Sequence, residues 1–358
     1  MYAVIMAGGR GARFWPRSRE KSPKHLLDII GAETILRETV NRITPIVSPD
    51  KVFIVTGASH AAEVRKQLPE LPRENILVEP AGKNTAPCIG LAAIHLRKKD
   101  REGIMMVLPS DHFIADEKEF IRVLAIAGKA AKRGENLITV GISPGGPETG
   151  YGYLERGEKK FTIDGEDIHH VRSVREKPDK NEADMLIRQG GFFWNGGIFI
   201  GKVSTFLNAI ARWLPDLYRH LVNMEVAPGN KEEETVVNRA YASIIPVSFD
   251  YGVMEKADNI LMVRGDFGWS DVGSWDALYQ VLSKDEHGNS LAGGSIFLNR
   301  NSRNSLVHSP HKLVALVGVE DLIVVDTKDA LLICRRGASQ EVKNIVELLE
   351  QKNLKEYL

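Results

Sequence analysis

The chain has 358 residues, 43% of them hydrophobic, and its 47 lysines and arginines are balanced by 47 aspartates and glutamates. This composition suits one large domain, alone or with a smaller appendage, and the zero formal net charge argues against a protein that coats nucleic acid. The distant Cys88 and Cys334 argue against a disulfide framework or a zinc site, and no apolar run approaches the roughly 20 residues of a membrane span. We therefore expect a cytoplasmic protein with no nucleic-acid or membrane partner.

Short apolar runs alternate with amphipathic stretches as far as Val140, which predicts strands and helices in alternation. This rhythm is typical of an α/β fold with a Rossmann-like, doubly wound, mostly parallel sheet, in which ligands bind beyond the carboxyl ends of the strands. In chain order, the predicted strands cover 2–6, 52–55, 76–78, 104–108 and 137–140, and the predicted helices cover 35–43, 61–68, 86–98 and 120–132.

The alternation of predicted strands and helices stops near Gly141, and after Lys284 the pattern changes again, to short apolar runs separated by polar turns. We therefore predict a main domain over residues 1–284 and a smaller C-terminal module over residues 285–358. Within the main domain, further strands are predicted around 149–157, 171–175 and 196–200, and further helices around 181–189, 204–213, 232–241 and 274–282.

Three apolar runs in the C-terminal module, KLVAL, DLIVV and ALLIC, begin nine residues apart at Lys312, Asp321 and Ala330. Short strands at a fixed spacing predict a small stacked β module, with ordinary hairpins as the alternative. The apolar stripes of this module suggest the contact surface of a homodimer. An amphipathic closing helix is predicted at 341–349.

A glycine-rich stretch, MAGGRGARF, begins at the end of the first predicted strand. Gly8, Gly9 and Gly11 would let backbone N–H groups approach phosphate oxygens closely. The stretch lacks the Gly-Lys-Ser/Thr ending of a Walker A loop, and it also lacks the third glycine of a dinucleotide fingerprint. The sequence therefore predicts a phosphate-binding turn that is neither of these two kinds.

Positive charge is concentrated directly behind these glycines. Such a run of cations suits a triphosphate better than a dinucleotide, and we expect Arg13 and Lys24 to contact its phosphates. For Arg17, Arg19 and Lys21, a solvated basic loop is an equally good interpretation.

The stretch GGRGARFWPRSREKSPKH resembles the signature of the sugar nucleotidyltransferase family, and its FWPxSR portion resembles the form typical of the mannose-1-phosphate guanylyltransferases. The similarity extends from the first strand to the closing helix, although the family usually has glutamine where this chain has His25. The resemblance implies a glycosyltransferase-A-like catalytic domain with a partial left-handed β-helix behind it. It also implies transfer of GMP from GTP to α-D-mannose 1-phosphate, with release of diphosphate and with Mg²⁺ as the cofactor.

Two aspartates are candidates for holding the Mg²⁺ ion. Asp111 follows the predicted strand 104–108, where a carboxylate is well placed to hold a cation against phosphates, although a turn or a helix N-cap is the alternative. The resemblance implies that Asp111 is a metal ligand and that Asp271, in GWSDVGSW, is the second.

The polar stretch VEPAGKNTAP lies between a predicted strand and a predicted helix. Its side chains supply donors and acceptors for a guanine base, and the resemblance implies nucleotide recognition there. An elaborate helix N-cap is the alternative. The candidate residues are Glu79, Lys83, Asn84 and Thr85.

The resemblance assigns the mannose 1-phosphate side to the motifs TGYGYL, REKP and FWNGGIF, with a contribution from SFDYGVMEK. Glycines would allow close approach to the hexose, acidic and amide groups would bind hydroxyls, and a lysine would meet the phosphate. An exposed ion pair is the alternative for the REKP pair. The implied residues are Gly150, Gly152, Glu176, Lys177, Asn195 and Asp250.

A sugar phosphate is already largely ionised at neutral pH, since its second pKa is near 6, so the implied reaction needs no general base. This agrees with the lack of a convincing Ser/His/Asp or Cys/His set in the sequence. Three alternatives stay open: a sibling transferase for glucose 1-phosphate or another nucleotide, a non-catalytic nucleotide-sugar sensor, and an NAD-dependent dehydrogenase.

Overall fold

A computed structural model describes residues 1–9, 11–225, 231–294 and 296–358 of the chain, and it leaves the side chains of residues 231–233 undescribed. Arg10, in the basic stretch, lies outside the described residues. Among the described residues, no helix has the length and apolar character needed to cross a bilayer.

The strands are short in the N-terminal half and become long in the middle of the chain. In chain order they are β1 (Tyr2–Ala7), β2 (Val52–Gly57), β3 (Ile76–Glu79), β4 (Ile104–Pro109), β5 (Phe113–Ile114), β6 (Leu137–Ile142), β7 (Gly152–Ile163), β8 (Glu166–Glu176), β9 (Phe192–Lys202), β10 (Ile260–Gly265), β11 (Trp269–Ser270), β12 (Ser290–Ala292), β13 (Ile296–Arg300), β14 (Leu306–His308), β15 (Leu313–Val317), β16 (Leu322–Asp326) and β17 (Leu331–Arg335).

The helices alternate with the early strands and cluster between β9 and β10. They are α1 (Ile35–Ile43), α2 (Ala61–Gln67), α3 (Thr85–Lys99), α4 (Glu117–Ala131), α5 (Lys180–Gln189), α6 (Val203–Trp213), α7 (Pro215–Glu225), α8 (Lys231–Ser243), α9 (Trp275–Val281) and α10 (Val342–Gln351).

The main sheet has nine strands in the order β3-β2-β1-β4-β9-β6-β10-β8-β7. Strands β3, β2, β1 and β4 pair in parallel, as do β6 and β10, whereas β9 runs antiparallel between β4 and β6. The parallel strands are apolar on both faces, as expected for a sheet with helices on both sides. The predicted doubly wound, mostly parallel sheet is confirmed.

The chain divides into two compact units that are each discontinuous in sequence. Unit 1 comprises residues 1–7, 42–109 and 114–269, and it contains the main sheet. Unit 2 comprises residues 8–41, 110–113 and 270–358. The domain boundary after residue 284 stays a prediction.

Unit 2 contains a stack of short parallel strands. Strands β12, β14 and β16 pair in parallel on one side of the stack, and β13 and β15 pair in parallel on another. Leu306 pairs with Ile323 and Ile296 pairs with Leu313, so equivalent positions are 17 residues apart in both cases. Each repeat of the stack therefore carries two strands.

The nine-residue spacing of the apolar runs is thus the spacing of successive strands and not the length of the structural repeat. β15, β16 and β17 do begin nine residues apart, but β17 pairs antiparallel with β16. The stacked interpretation holds for most of the module, and the hairpin interpretation holds for its last strand. Apolar side chains on alternate positions of β13 and β15 are exposed, and the homodimer stays a prediction.

The core of unit 2 joins the N-terminal basic stretch to the C-terminal module. Phe14 and Trp15 belong to the same buried cluster as Trp275, Ile323 and Val342. The aromatic rings of Phe14 and Trp275 lie 5.0 Å apart, and the Trp275 indole N–H donates to the Trp15 carbonyl at 3.1 Å. The turn that follows β1 is therefore held by residues more than 250 positions away in sequence.

Two elements of unit 1 were missed by the sequence analysis, namely β10 and α7. β10 is a buried run, Ile260–Val263, that pairs in parallel with β6. α7 begins at Pro215, which is a favoured residue for the first turn of a helix, and Leu217 and Leu221 are buried on one face. α7 carried a recognisable signal, a proline before an amphipathic stretch, whereas the short apolar run of β10 is identified as a strand only by its pairing with β6.

Candidate active site

The basic loop, which we define as residues 8–24, comes directly after β1 in the chain and belongs to unit 2. Gly9 and Gly11 have φ values of +96° and +64°, a conformation that side chains with a Cβ atom rarely adopt. Gly8 and Gly9 are exposed, and a Cβ atom on either would have nothing within 4 Å. A Cβ atom on Gly11, in contrast, would lie 2.7 Å from Cβ of Lys24. Gly11 is therefore required where the loop folds back onto Lys24.

Two arginines of the basic loop are engaged in ion pairs within unit 2. Arg17 pairs with Asp28 at 2.5 Å, and Arg19 pairs with Asp329 at 3.0 Å. Arg19 also donates to the carbonyl of Pro16 at 2.7 Å. These contacts give Arg17 and Arg19 a structural role in fixing the loop.

Lys24 is the most constrained cation of the loop, because its side chain is buried and its ammonium group makes three hydrogen bonds. It donates to the backbone carbonyl of Asp111 at 3.0 Å, to Oδ2 of Asp111 at 2.9 Å and to the backbone carbonyl of Asp271 at 2.7 Å. An ammonium group has three N–H donors, so all of them are used. Lys24 thus ties together two aspartates that are 160 positions apart in sequence.

The two aspartates differ in their surroundings. Burial by itself would raise the pKa of the Asp111 carboxyl, but the Lys24 ammonium, assisted by His112 and His25, holds that pKa below its usual value. Oδ1 of Asp271 accepts a hydrogen bond from the backbone N–H of Gly273 at 3.0 Å, which fixes the orientation of that carboxylate. The Asp111 carboxyl is therefore ionised at neutral pH, and the Asp271 carboxyl is held in a fixed orientation.

A cavity of about 390 Å³ in unit 2 collects most of the residues predicted to handle phosphate and metal. Its volume is enough for a polyphosphate with a bound cation. Its lining also includes two basic side chains, those of His112 and Lys343, that were not predicted from the sequence. The cavity is lined by Gly11, Ala12, Arg13, Phe14, Lys24, Asp111, His112, Asp271, Gly273 and Lys343.

The donor set of this cavity fits a hard divalent cation. Asp111 and Asp271 contribute carboxylate oxygens, and Mg²⁺ is commonly held by one or two carboxylates that leave its other positions to phosphates and water. Among the residues that the structure describes, no three His, Cys, Asp or Glu side chains come together as a closed metal site. The chain would therefore supply only part of the coordination of such an ion.

The predicted nucleotide-recognition residues lie in unit 1, around the start of α3. Asn84 adopts φ +72° and caps α3 by accepting a hydrogen bond from the backbone N–H of Thr85 at 2.8 Å. Oγ1 of Thr85 accepts a hydrogen bond from the backbone N–H of Phe249 at 2.8 Å. The backbone carbonyl of Lys83 accepts a hydrogen bond from the backbone N–H of Val247 at 3.2 Å. The stretch is an elaborate helix N-cap, so that alternative is confirmed for Asn84.

Glu79 is the buried member of this group, with 6% of its surface exposed. Its Oε1 atom accepts a hydrogen bond from the hydroxyl of Tyr241, on α8, at 3.1 Å. Burial raises the pKa of the Glu79 carboxyl to about 7, and the Tyr241 hydrogen bond only partly offsets this. Glu79 thus joins the end of β3 to α8 from inside unit 1.

The predicted sugar-phosphate residues form a connected group, also in unit 1. The Asn195 amide donates to Oδ1 of Asp250 at 2.8 Å and accepts from the Thr139 hydroxyl at 3.1 Å. A Cβ atom on Gly152 would lie 2.5 Å from a carboxylate oxygen of Glu176, so this glycine makes room for that side chain.

The charged side chains of the sugar-phosphate group shift one another's pKa values. Burial, assisted by the Glu176 carboxylate, raises the pKa of Asp250 to about 7, although the Asn195 amide lowers it. Lys177 adopts φ +49° and forms a 2.9 Å ion pair with Glu176. Burial alone would lower the pKa of Lys177, but Glu176 raises it.

Three further residues belong to the predicted sugar-phosphate region of unit 1 or contact it. Gly150 is exposed, with nothing within 4 Å of an added Cβ atom. Glu255 accepts from the backbone N–H of Glu176 at 3.1 Å, and Tyr251, which is 46% exposed, donates its hydroxyl to the Glu176 carbonyl at 3.4 Å. Tyr251 was not singled out by the sequence analysis.

The predicted residues therefore fall into three sets, of which one lies in unit 2 and two lie in unit 1. The set for phosphate and metal lies within unit 2, and the sets for the base and the sugar phosphate lie within unit 1. Folding brings Lys24, Asp111 and Asp271 together, although they come from three separate segments of the chain.

Comparison with known families agrees with this architecture. The model of the nucleotidyl transferase family matches residues 2–288. The model of the mannose-phosphate isomerase/GMP-like beta-helix domain matches residues 298–349, which contain most of the stacked strands. The predicted combination of a nucleotidyltransferase sheet and a small β-helix module is confirmed.

Similar proteins are found over nearly the whole chain. The mannose-1-phosphate guanylyltransferase of Klebsiella pneumoniae is 38% identical over 357 residues, which cover 99% of this chain and 75% of the relative. The alginate biosynthesis protein AlgA of Pseudomonas putida is 37% identical over 355 residues, covering 98% of this chain and 72% of the relative.

A solved structure shows the same fold. The crystal structure of mannose-1-phosphate geranyltransferase from Thermus thermophilus matches with a TM-score of 0.87 and 33% identity, covering 98% of this chain and 99% of that one. The family match, the relatives and this structure agree in sequence and in fold. The chain therefore belongs to the nucleotidyl transferase family, within the group of mannose-1-phosphate guanylyltransferases.

Proposed function

We propose that the chain transfers GMP from GTP to α-D-mannose 1-phosphate and so forms GDP-mannose and diphosphate. The observation that carries this proposal is the contact of Lys24 with both Asp111 and Asp271 in a cavity beside the glycine turn. Such an arrangement suits a polyphosphate with a divalent cation. The names of the relatives support the choice of GTP and mannose 1-phosphate.

The reaction is an in-line substitution at the α-phosphorus of GTP. A phosphate oxygen of mannose 1-phosphate forms the new P–O bond, and the bond between the α-phosphorus and the bridging oxygen breaks. Diphosphate leaves with the electron pair. The nucleophile is already ionised at neutral pH, so catalysis depends on holding two anions in place and on stabilising the charge of the leaving group.

In unit 2, Asp111 and Asp271 would hold Mg²⁺, which supplies charge neutralisation at the phosphates when it is bound. Lys24 would hold the Asp111 carboxylate directly and fix the backbone at Asp271, since its three N–H donors reach Oδ2 and the carbonyl of Asp111 and the carbonyl of Asp271. Arg13 is exposed on the cavity wall and would bind phosphate oxygens. The backbone of Gly8, Gly9 and Gly11 would approach the triphosphate.

In unit 1, the sugar-phosphate group would bind the second substrate. Asn195, Asp250 and Glu176 offer hydrogen-bonding groups of both kinds to hydroxyls, and Lys177 would meet the phosphate. Gly150 would leave room for the hexose, and Gly152 would allow the Glu176 side chain to lie where it can bind a hydroxyl.

The base would bind near the start of α3, within reach of Lys83 and Asn84. Thr85 and Glu79 would act by supporting this stretch, because their side chains bond to Phe249 and Tyr241. We further propose that the enzyme is a cytoplasmic homodimer.

The test measures diphosphate release with each of the common nucleoside triphosphates in combination with mannose 1-phosphate or glucose 1-phosphate, with Mg²⁺ and with EDTA. We expect the highest kcat/KM with GTP and mannose 1-phosphate, and loss of activity in EDTA. A preference for another pair would assign the chain to a sibling transferase, and binding of GDP-mannose without turnover of any pair would make it a sensor.

A further inference from the structure

The closing helix α10 contributes a cation to the phosphate cavity. Lys343, in the first turn of α10, lines the cavity of about 390 Å³ together with Arg13, Lys24, Asp111 and Asp271. Its side chain is exposed, and among the residues that the structure describes it has no hydrogen-bond or ion-pair partner. The cavity thus contains a lysine that is not neutralised by the protein.

Packing fixes where Lys343 can reach. Its neighbour Val342 is 2% exposed and belongs to the core that contains Phe14 and Trp275, so α10 rests on the basic loop through its apolar face. The turn before α10 is held as well, since Asp276 accepts hydrogen bonds from the backbone N–H groups of Gly337 at 2.8 Å and Ser339 at 3.1 Å. The start of the helix is therefore anchored beside the cavity.

The distribution of charge in the cavity leaves a role for this lysine. All three N–H donors of Lys24 make hydrogen bonds to Asp111 or Asp271, so Lys24 could bind a phosphate only if one of these bonds broke. Arg17 and Arg19 are paired elsewhere. Of the cations that line the cavity in the described part of the chain, this leaves Arg13 and Lys343 for the leaving group.

The position of Lys343 in its helix points in the same direction. A cation in the first turn of a helix is opposed by the helix dipole, and α10 has no acidic residue in that turn. Glu341, just before the helix, is already bonded to the side chain of Asn344 at 2.5 Å. An anion in the cavity would be attracted by the ammonium group of Lys343.

We propose that Lys343 binds the β- and γ-phosphates of the nucleotide and holds them as they leave as diphosphate. This rests on the proposed function and adds a phosphate-binding residue from the C-terminal module to those of the basic loop. The C-terminal module then takes part in binding the leaving group.

The test compares Lys343→Ala, Lys343→Arg and the matched control Lys352→Ala. Lys352 lies just past the end of the same helix, is exposed and does not line the cavity. Binding of inorganic diphosphate is measured by isothermal titration calorimetry in the presence of Mg²⁺. We expect the Kd for diphosphate to rise about tenfold in Lys343→Ala, to stay within about twofold in Lys352→Ala, and to remain near the wild-type value in Lys343→Arg.

A kinetic readout separates this inference from the proposed function. In the reverse reaction, the KM for diphosphate should rise in Lys343→Ala while the KM for GDP-mannose stays unchanged. An unchanged Kd for diphosphate in Lys343→Ala would overturn the inference, and so would an equal loss in Lys352→Ala, which would assign the effect to overall charge. Failure of the wild-type protein to make GDP-mannose would instead refute the proposed function.

Discussion

Replacing Gly11 with alanine is expected to damage catalysis through Lys24, without removing any functional group. At φ +64°, a residue with a Cβ atom is destabilised by about 1–2 kcal/mol. The new Cβ atom would also lie 2.7 Å from Cβ of Lys24, whereas carbon atoms in contact are normally about 3.5–4.0 Å apart. The basic loop or Lys24 must therefore move by on the order of 1 Å.

Such a displacement acts directly on the contacts that join the two aspartates. The three hydrogen bonds of Lys24 are 2.7–3.0 Å long, and a shift of this size would break at least one of them. A hydrogen bond to a charged group contributes about 1.5–3 kcal/mol, so we expect kcat/KM to fall by about tenfold or more.

Gly318→Ala is the matched control. Gly318 has φ +65° and lies in the turn after β15, with nothing within 4 Å of an added Cβ atom. The two variants therefore share the backbone cost, and only Gly11→Ala has the collision. Unfolding in urea and diphosphate release would be measured for both. If Gly11→Ala were as active as Gly318→Ala, the claim that close packing of Gly11 holds Lys24 in place would be refuted.

Further expectations concern the carboxylates and the sugar-phosphate group. Asp271→Ala should lower kcat at least about tenfold with little change in Tm, because it removes charge stabilisation from the transition state; unchanged turnover would exclude that role. Asn195→Ala should raise the KM for mannose 1-phosphate about tenfold and leave that for GTP unaltered, since Asn195 orients Asp250; equal changes in both constants would contradict this. For Glu79, the folded-state pKa of about 7 lies above the ordinary 4.5, so its contribution to stability is present below pH 4.5 and is lost as the pH rises to 7. Between pH 4.5 and pH 7, the free energy of unfolding of the wild type should fall by on the order of 3 kcal/mol relative to that of Glu79→Gln, as measured by urea denaturation. If the unfolding free energies of the two proteins changed in parallel with pH, the pKa of Glu79 would not be raised.

The alternating elements of the first half could be predicted because each has a local signal. The helix at 35–43 and the strand starts at Val52, Ile76 and Ile104 agree with the structure. β10 was missed because its identity depends on pairing with β6, more than 100 residues earlier. The 17-residue repeat was missed for a similar reason, since the sequence displays strand spacing and only the pairing of strands reveals the repeat.

The candidate site was predictable in its residue types but not in its contacts. The glycines and cations of the basic loop are adjacent in sequence, so their common purpose could be inferred. The convergence of Lys24, Asp111 and Asp271 could not, because it depends on folding of three distant segments. Lys343 lacks any motif, and it becomes visible only because α10 packs against the start of the loop.

The core shared by the basic loop and the C-terminal strands limits how this chain could be recombined with its relatives. Phe14 and Trp15 are buried in the same hydrophobic interior as Ile323 and Val342. In a chimera that exchanged only residues 285–358, the native basic loop would pack against the C-terminal strands of another protein. The side chains of the two parts would then not fit each other in the shared core. A productive exchange would have to transfer residues 8–41 as well, because they pack in the same core as the C-terminal strands.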